Sequence, residues 1–181
     1  MSWMTDIDGL KDNLLADRVL LSSALLSCSS ILRSLAPPNL MHWMNKELLG
    51  YDQCDGEILK ASEFGVARTI RGHLLKLEGG QFVADREADF IIPCGVQTIE
   101  LELNNLFDIA ILESGAPDTL SLINKVGLEH TRCVFEGSNE SSYLSCSAAA
   151  LLCCYYDIKM LFSAVLHCLP RRLNDRGLLH K

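Results

Sequence analysis

The stretch Leu40–Tyr51, LMHWMNKELLGY, decides how the N-terminal part of the chain is read. Leu40, Trp43, Met44, Glu47 and Leu48 recur at helical spacing, which gives a short helix with one apolar face. Gly50 follows the last periodic residue, and glycine stops a helix because it takes positive φ without Cβ strain. Pro37 and Pro38 mark the boundary with the segment before, since proline lacks an amide proton and clashes with a preceding turn. Upstream, Leu14, Leu21, Leu25, Cys28, Leu32 and Leu35 lie on one stripe, predicting a helix from about Asp17 to Leu35 with serines over much of the remainder. Trp43 and Leu48 are expected to dock the two helices as an αα-hairpin. A shorter helix over Thr5–Leu15 precedes them, with Asp6 and Asp8 near its positive end.

Beyond Tyr51 the polar run Asp52–Ser62 reads as a loop. Val66–Leu77 has strand composition, and Gly72 within it suggests a bulge or a close backbone approach. Gly79-Gly80 is a turn, and Phe90-Ile91-Ile92-Pro93 a short edge segment closed by proline. In Thr98–Asn104, Ile99, Leu101 and Leu103 alternate with Glu100, Glu102 and Asn104, which favours a half-buried strand. Val96, Ile99, Leu103, Leu106 and Ala110 also fit a helix, so that alternative stays open. A helix over Asn105–Glu113 ends at Ser114-Gly115-Ala116-Pro117. Thr119–Val126 reads as a short helix, Thr131–Phe135 as a strand and Gly137-Ser138-Asn139 as a turn. Ser141 or Ser142 is then expected to cap a long final helix running towards Leu169 and Pro170. The fold class is α+β: an N-terminal helical hairpin on a small, mainly antiparallel sheet, with a long C-terminal helix. The division expected is a module over 1–115 and a C-terminal extension over 116–181, packed together.

Charged residues make up 22% of the chain, apolar residues 49%, and the formal net charge is −7. That is globular composition, and it disfavours bulk binding to phosphate backbones, which needs clustered Lys and Arg. Arg171, Arg172 and Arg176 form the best local basic group, a pattern more typical of a solvated helix end. Met1–Asp12 has no secretory pattern, so the eight cysteines are expected to stay reduced, in the cytoplasm, as small hydrophobic residues. The uncharged run Tyr143–Tyr156 is too short to cross a bilayer as a helix, and Asp157 and Lys159 interrupt its continuation. A buried or partner-facing helix is the expectation, with self-association as one use of it.

No motif for chemistry is specific. His130, Cys133 and Cys146 give one H-x-x-C and a later thiol, Cys153 and Cys154 diverge on a helix, and no C-x-x-C occurs. No metal and no cofactor is expected. Glu100 and Glu102 would share one side of the proposed strand, where alternating acids are usually a solvated face, although paired acids can also hold Mg²⁺. Pro117-Asp118 with Asp157-Ile158-Lys159 imitates the PD…D-x-K pattern of metal-dependent nucleases, but that pattern needs its D-x-K on a strand. Asp118, Asp157 and Lys159 are thus candidates for an enzyme alternative. No nucleophile elbow, Walker loop or dinucleotide fingerprint is present, and His73 after Arg71-Gly72 reads as a surface or satisfied polar residue.

The segment W-x-x-x-E-L-x-G-Y, here Trp43, Glu47, Leu48, Gly50 and Tyr51, resembles the AbiTii family of bacterial abortive-infection proteins. Ile31-Leu32-Arg33 is similar to the end of that family's preceding helix, and Arg71-Gly72-His73 to its R-G strand. Ile92-Pro93 is similar to its I-P step, and Ile109-Ala110, Leu112 and Glu113 to its I-A-x-L-E helix. The points fall in the family's order from about Leu14 to Glu113. The loop after Tyr51 lacks the family's L-P-x-Y-R run, and the segment after Gly115 matches none of its motifs. The resemblance implies phage defence by abortive infection, acting through protein contact, and it carries no catalytic residues with it. A structural adaptor outside defence is the remaining alternative.

Overall fold

The computed structural model describes residues 3–51, 63–114, 132–136 and 142–174. The elements in order are helices α1 (Trp3–Leu15), α2 (Leu21–Leu32), α3 (Pro38–Leu49) and α4 (Glu63–Ala67), strands β1 (Thr69–Glu78) and β2 (Gln81–Ile91), helix α5 (Val96–Ser114), strands β3 (Arg132–Glu136) and β4 (Ser142–Ser147), and helix α6 (Ala148–Asn174). The α+β class holds, with N-terminal helices, an antiparallel sheet and a long C-terminal helix.

The stripe read as a single helix from Asp17 is divided between two. Leu14 is buried on α1, and the chain turns at Asp17, whose φ of 55° is one that aspartate tolerates better than most residues. α2 begins at Leu21 and buries Leu21, Leu25, Cys28 and Leu32, while Leu35 lies beyond its end, half-buried. Leu20 offers the start of α2 no side-chain cap. Distant residues supply one instead: the Leu21 N–H donates to the Tyr155 hydroxyl at 3.2 Å and the Ser22 N–H to Glu100 Oε1 at 3.1 Å. A carboxylate at that position satisfies an amide left without an intrahelical partner and meets the positive end of the helix dipole. Glu100→Ala is therefore expected to cost about 2 kcal/mol in urea unfolding, because it strands a buried amide, and Glu100→Gln less than half of that.

This cap also explains why Thr98–Asn104 is not a strand. The residues lie within α5, where Val96, Ile99 and Leu103 are buried at helical spacing. The alternation of Glu with Ile and Leu counted Glu100 as polar and outward, but Glu100 is only 7% exposed and faces α2. Glu100 and Glu102 thus do not share one side. The strand expected over Val66–Leu77 also shifts: Val66 belongs to α4, and β1 starts at Thr69.

The sheet runs β2-β1-β4-β3, every neighbouring pair antiparallel. Glu78 pairs with Gln81 across Gly79 and Gly80, both at positive φ (58° and 82°), the requirement of a two-residue hairpin turn that follows strand twist. Gly72 marks a close approach: a Cβ there would lie 2.3 Å from the Ser145 carbonyl oxygen on β4. The register irregularity sits further along, between Leu74 and Leu75. β2 is an edge strand extending well upstream of the Phe90–Pro93 segment, exposed from Gln81 to Glu87. Its charges pair with β1, Arg71 Nε to Glu87 Oε1 at 3.0 Å and Lys76 Nζ to Asp85 Oδ1 at 2.8 Å. Exposed pairs of this kind contribute little stability and mainly keep the edge soluble.

Tyr143–Tyr156 is not one helix. Ser142–Ser147 is strand β4, and Ser147 rather than Ser141 or Ser142 caps α6, its Oγ accepting the Ala150 N–H at 3.2 Å. α6 continues through Asp157, Lys159 and Pro170, burying Leu151, Cys154, Ile158, Phe162, Leu166, Leu169 and Leu173. These three- and four-residue steps make it the central core helix, packed on α1, α4, α5 and the sheet. Its segment Ala148–Arg171 is long and apolar enough to cross a membrane, contrary to the expectation from length; 44% of its most apolar window is buried inside the protein. The expected elements Asp52–Ser62, Thr119–Val126 and Gly137–Asn139 lie outside the described residues.

Candidate functional site

Helix α3 ends against the segment Pro93–Gly95 that leads from β2 into α5. Gly50, at φ 113°, donates its N–H to Lys46 O at 2.8 Å, and Tyr51 donates its N–H to Pro93 O at 2.8 Å. The Ile92-Pro93 step thus lies against the end of the Trp43 helix, and Gly50 forms an isolated antiparallel bridge with Cys94. The approach leaves no room for a side chain at Gly95, where a Cβ would stand 2.2 Å from the Leu48 carbonyl oxygen.

Behind this joint lies a buried charge network. Glu47, 1% exposed, projects from α3 towards Arg68, which is fully buried in the turn between α4 and β1. Arg68 Nη2 donates to Glu47 Oε2 at 2.7 Å and Nε to the same oxygen at 3.3 Å. Its Nη1 donates to the Ile92 and Cys94 carbonyl oxygens at 3.1 and 2.7 Å. The Tyr51 hydroxyl donates to Glu47 Oε1, and the Arg68 guanidinium lies 5.2 Å from the centre of the Tyr51 ring. Burial pushes the Tyr51 phenol well above its ordinary pKa; the Glu47 carboxylate adds to the rise, while Arg68 and a hydrogen bond from Trp43 oppose it. Arginine suits this place because its planar fork reaches a carboxylate and two carbonyls at once.

Both Glu47 oxygens are engaged, and the network is closed on all the sides these contacts describe. It has the chemistry of a clasp that holds α3, the start of β1 and the Ile92–Cys94 segment in one arrangement. Trp43, one helical turn before Glu47 on the same face of α3, supports it from beside, its ring 6.1 Å from that of Phe162 on α6. Leu48, 6% exposed, is a core residue as expected, whereas Trp43 is half-buried and Met44 is the buried one.

Arg68 is a residue that sequence reasoning does not single out. A lone arginine before a strand carries no pattern; the one available signal was Glu47 on the apolar face of its helix, a carboxylate that needs a cation once buried. Arg71 is exposed on β1, paired with Glu87, and that pairing raises its pKa. His73 is half-buried on the same strand, opposite Glu87 and Ser145. Ile109 and Glu113 lie in α5, with side chains outside the described set.

Of the nuclease candidates, Asp157 and Lys159 are described, and they lie on different faces of α6. Asp157 is exposed on α6, while Lys159, two residues on, is buried on another face with its ammonium paired to Asp17 and 5.1 Å from the Tyr156 ring centre. Asp118 and His130 lie outside the described residues, as does the side chain of Cys133. Among the described residues no group of three or more His, Cys, Asp or Glu could hold a metal ion. Cys28, Cys146 and Cys154 are buried free thiols. Arg171 is exposed near the end of α6, the Arg172 side chain is not described, and Arg176 lies outside the described residues. No family model, no curated protein and no solved structure matches the chain.

Proposed function

We propose that the chain is a bacterial phage-defence protein of the AbiTii-like, abortive-infection kind, working in the cytoplasm through protein contact rather than catalysis. The observation that carries this reading is a convergence. Residues that belong to separate motifs in the sequence, Trp43-x-x-x-Glu47-Leu48-x-Gly50-Tyr51 and Ile92-Pro93, meet at one joint and are tied there by Arg68. The joint is buried and its polar groups are satisfied by one another, so its role is to hold a shape that other surfaces present.

The test is a comparison of phage plating and infected-cell survival with and without the gene across a broad phage panel. Reduced plaque yield, with death or arrest of infected cells before phage release, is the expected result. Unchanged plaque yield and unchanged survival across the panel would sink the defence reading and leave an adaptor outside defence.

A further inference from the structure

Helix α6 carries a second stripe opposite its core face. Tyr156, Asp157, Met160, Ala164, Cys168 and Arg171 are all exposed, Tyr156 by 44% and Met160 by 59%. At about 100° per residue they fall within a wedge of roughly 120°, and at 1.5 Å rise they form a strip roughly 23 Å long. Along its centre line the middle is small or apolar, Met160, Ala164 and Cys168, with the exposed His167 beside them inside the same wedge. Its charges stand at the ends, Asp157 seven residues before Ala164 and Arg171 seven residues after it. Neither makes an ion pair among the described residues.

We propose that this strip is a self-association surface on which a second copy of the chain packs antiparallel, α6 against α6, crossing at Ala164. The charge pattern selects that occupant and that direction. A twofold axis through Ala164 sets Asp157 of each copy opposite Arg171 of the other, and Met160 beside Cys168. Parallel pairing in register would set Asp157 against Asp157 and Arg171 against Arg171. Alanine at the crossing lets the helix axes approach to about 8 Å, the near end of the usual range. The strip amounts to a few hundred Å² on each copy, below the roughly 800 Å² of a standard stable interface, so the dimer is reversible, with a dissociation constant in the micromolar range or weaker, the weak end that standard-size interfaces already reach. The inference rests on the reading of the chain as a protein-contact module and names the partner, but it does not depend on phage defence.

Sedimentation velocity of the full chain, from about 1 to 200 µM so as to span the micromolar range, tests it. The weight-average mass is expected to rise from monomer towards dimer across this range. Ala164→Glu and, independently, Met160→Glu abolish the rise, with thermal unfolding by circular dichroism unchanged because both sites are exposed. Asp157→Arg alone and Arg171→Asp alone each weaken pairing about tenfold, and the double exchange restores it; in a parallel pair like charges face each other in all four proteins, so neither the loss nor the rescue appears. A monomeric mass throughout, or a double exchange no better than either single one, overturns the proposal. Protection from phage by such a monomer, lost on Ala164→Glu, would overturn the pairing while the protein-contact reading stood. A dimer with the expected charge exchange but without protection would leave the pairing standing and overturn phage defence.

Discussion

Arg68→Met is expected to destabilise the protein by about 3–5 kcal/mol, the usual cost of removing one partner of a buried ion pair. Domain stabilities of about 5–15 kcal/mol make this a large share of the total. The loss has three parts. Glu47, 1% exposed, keeps its Tyr51 hydrogen bond but loses its counter-ion; the Ile92 and Cys94 carbonyl oxygens lose their donor; and the Tyr51 ring loses the cation beside it. Glu47→Gln is expected to cost a comparable amount, because it leaves the guanidinium buried without a carboxylate. The double variant Glu47→Leu/Arg68→Met separates charge from architecture. Were the pair only a charge pair, apolar replacement would be near neutral. Here two carbonyls and the Tyr51 hydroxyl would be left without their partners, so the double variant is expected to stay about 2–4 kcal/mol below the parent, at about 1–3 kcal/mol for each unpaired buried group with some relief from water. Urea midpoints for the parent, Arg68→Met, Glu47→Leu and the double variant decide it, and a double variant as stable as the parent would show that the clasp holds nothing.

The second large effect is alkaline unfolding. Burial pushes the Cys28 and Cys154 thiols up to about 12, and the Cys94 thiol up to about 11 although Arg68 acts against the rise. An acid that holds its proton more tightly in the folded chain stabilises the fold fully below its unfolded pKa. Between the unfolded and folded values the unfolded chain gives up the proton and the folded chain does not. Stability then falls as pH rises, by about 1.4 kcal/mol per unit for each thiol. With the unfolded thiols near their ordinary value, the loss begins between about pH 8.5 and 9 and reaches about 6–8 kcal/mol by about pH 10.5 for the three together. Tyr51 and Tyr155, also raised by burial, add to it at higher pH. Chemical unfolding repeated from neutral to alkaline pH reads the slope directly. Cys28→Ala removes one titrating group and should flatten the fall by about a third, whatever it costs at neutral pH. A flat profile up to about pH 10.5, with or without that substitution, would mean that these thiols do not titrate on unfolding. The same burial keeps Cys28 and Cys154 protonated near neutral pH, which suits packing and not nucleophilic chemistry.

Helix α3 was legible because each of its signals is local. Pro38 at the start, Gly50 at positive φ and the three- and four-residue apolar steps all act within the helix or beside it. The Gly79-Gly80 hairpin and the close approach at Gly72 were readable for the same reason, since glycine carries its conformational meaning in its own backbone. The errors fall where a polar residue serves another element. Glu100 spoiled the helical reading of Thr98–Asn104 because it caps α2, which lies 78 residues earlier at Ser22. In the same way α6 passes through Asp157 and Lys159, residues that suggested an interruption. Lys159 reaches back to Asp17, 142 residues away, where its charge finds a partner at the exposed end of α1.

The candidate joint divides along the same line. Periodicity and glycine placement marked Trp43, Leu48 and Gly50 as anchors, and drew attention to Glu47 and Tyr51 without a reason for them. Arg68 has no periodic neighbour and no motif, so nothing in the chain distinguished it from other arginines. By itself the sequence determined the α+β class, the N-terminal helices and the turns, because propensity, capping and backbone freedom are properties of neighbouring residues. Only the tertiary structure decided that Glu47, Tyr51, Arg68, Ile92 and Cys94 form one network, because a charge becomes costly, and so requires its partner, only after distant segments have closed over it and removed the water.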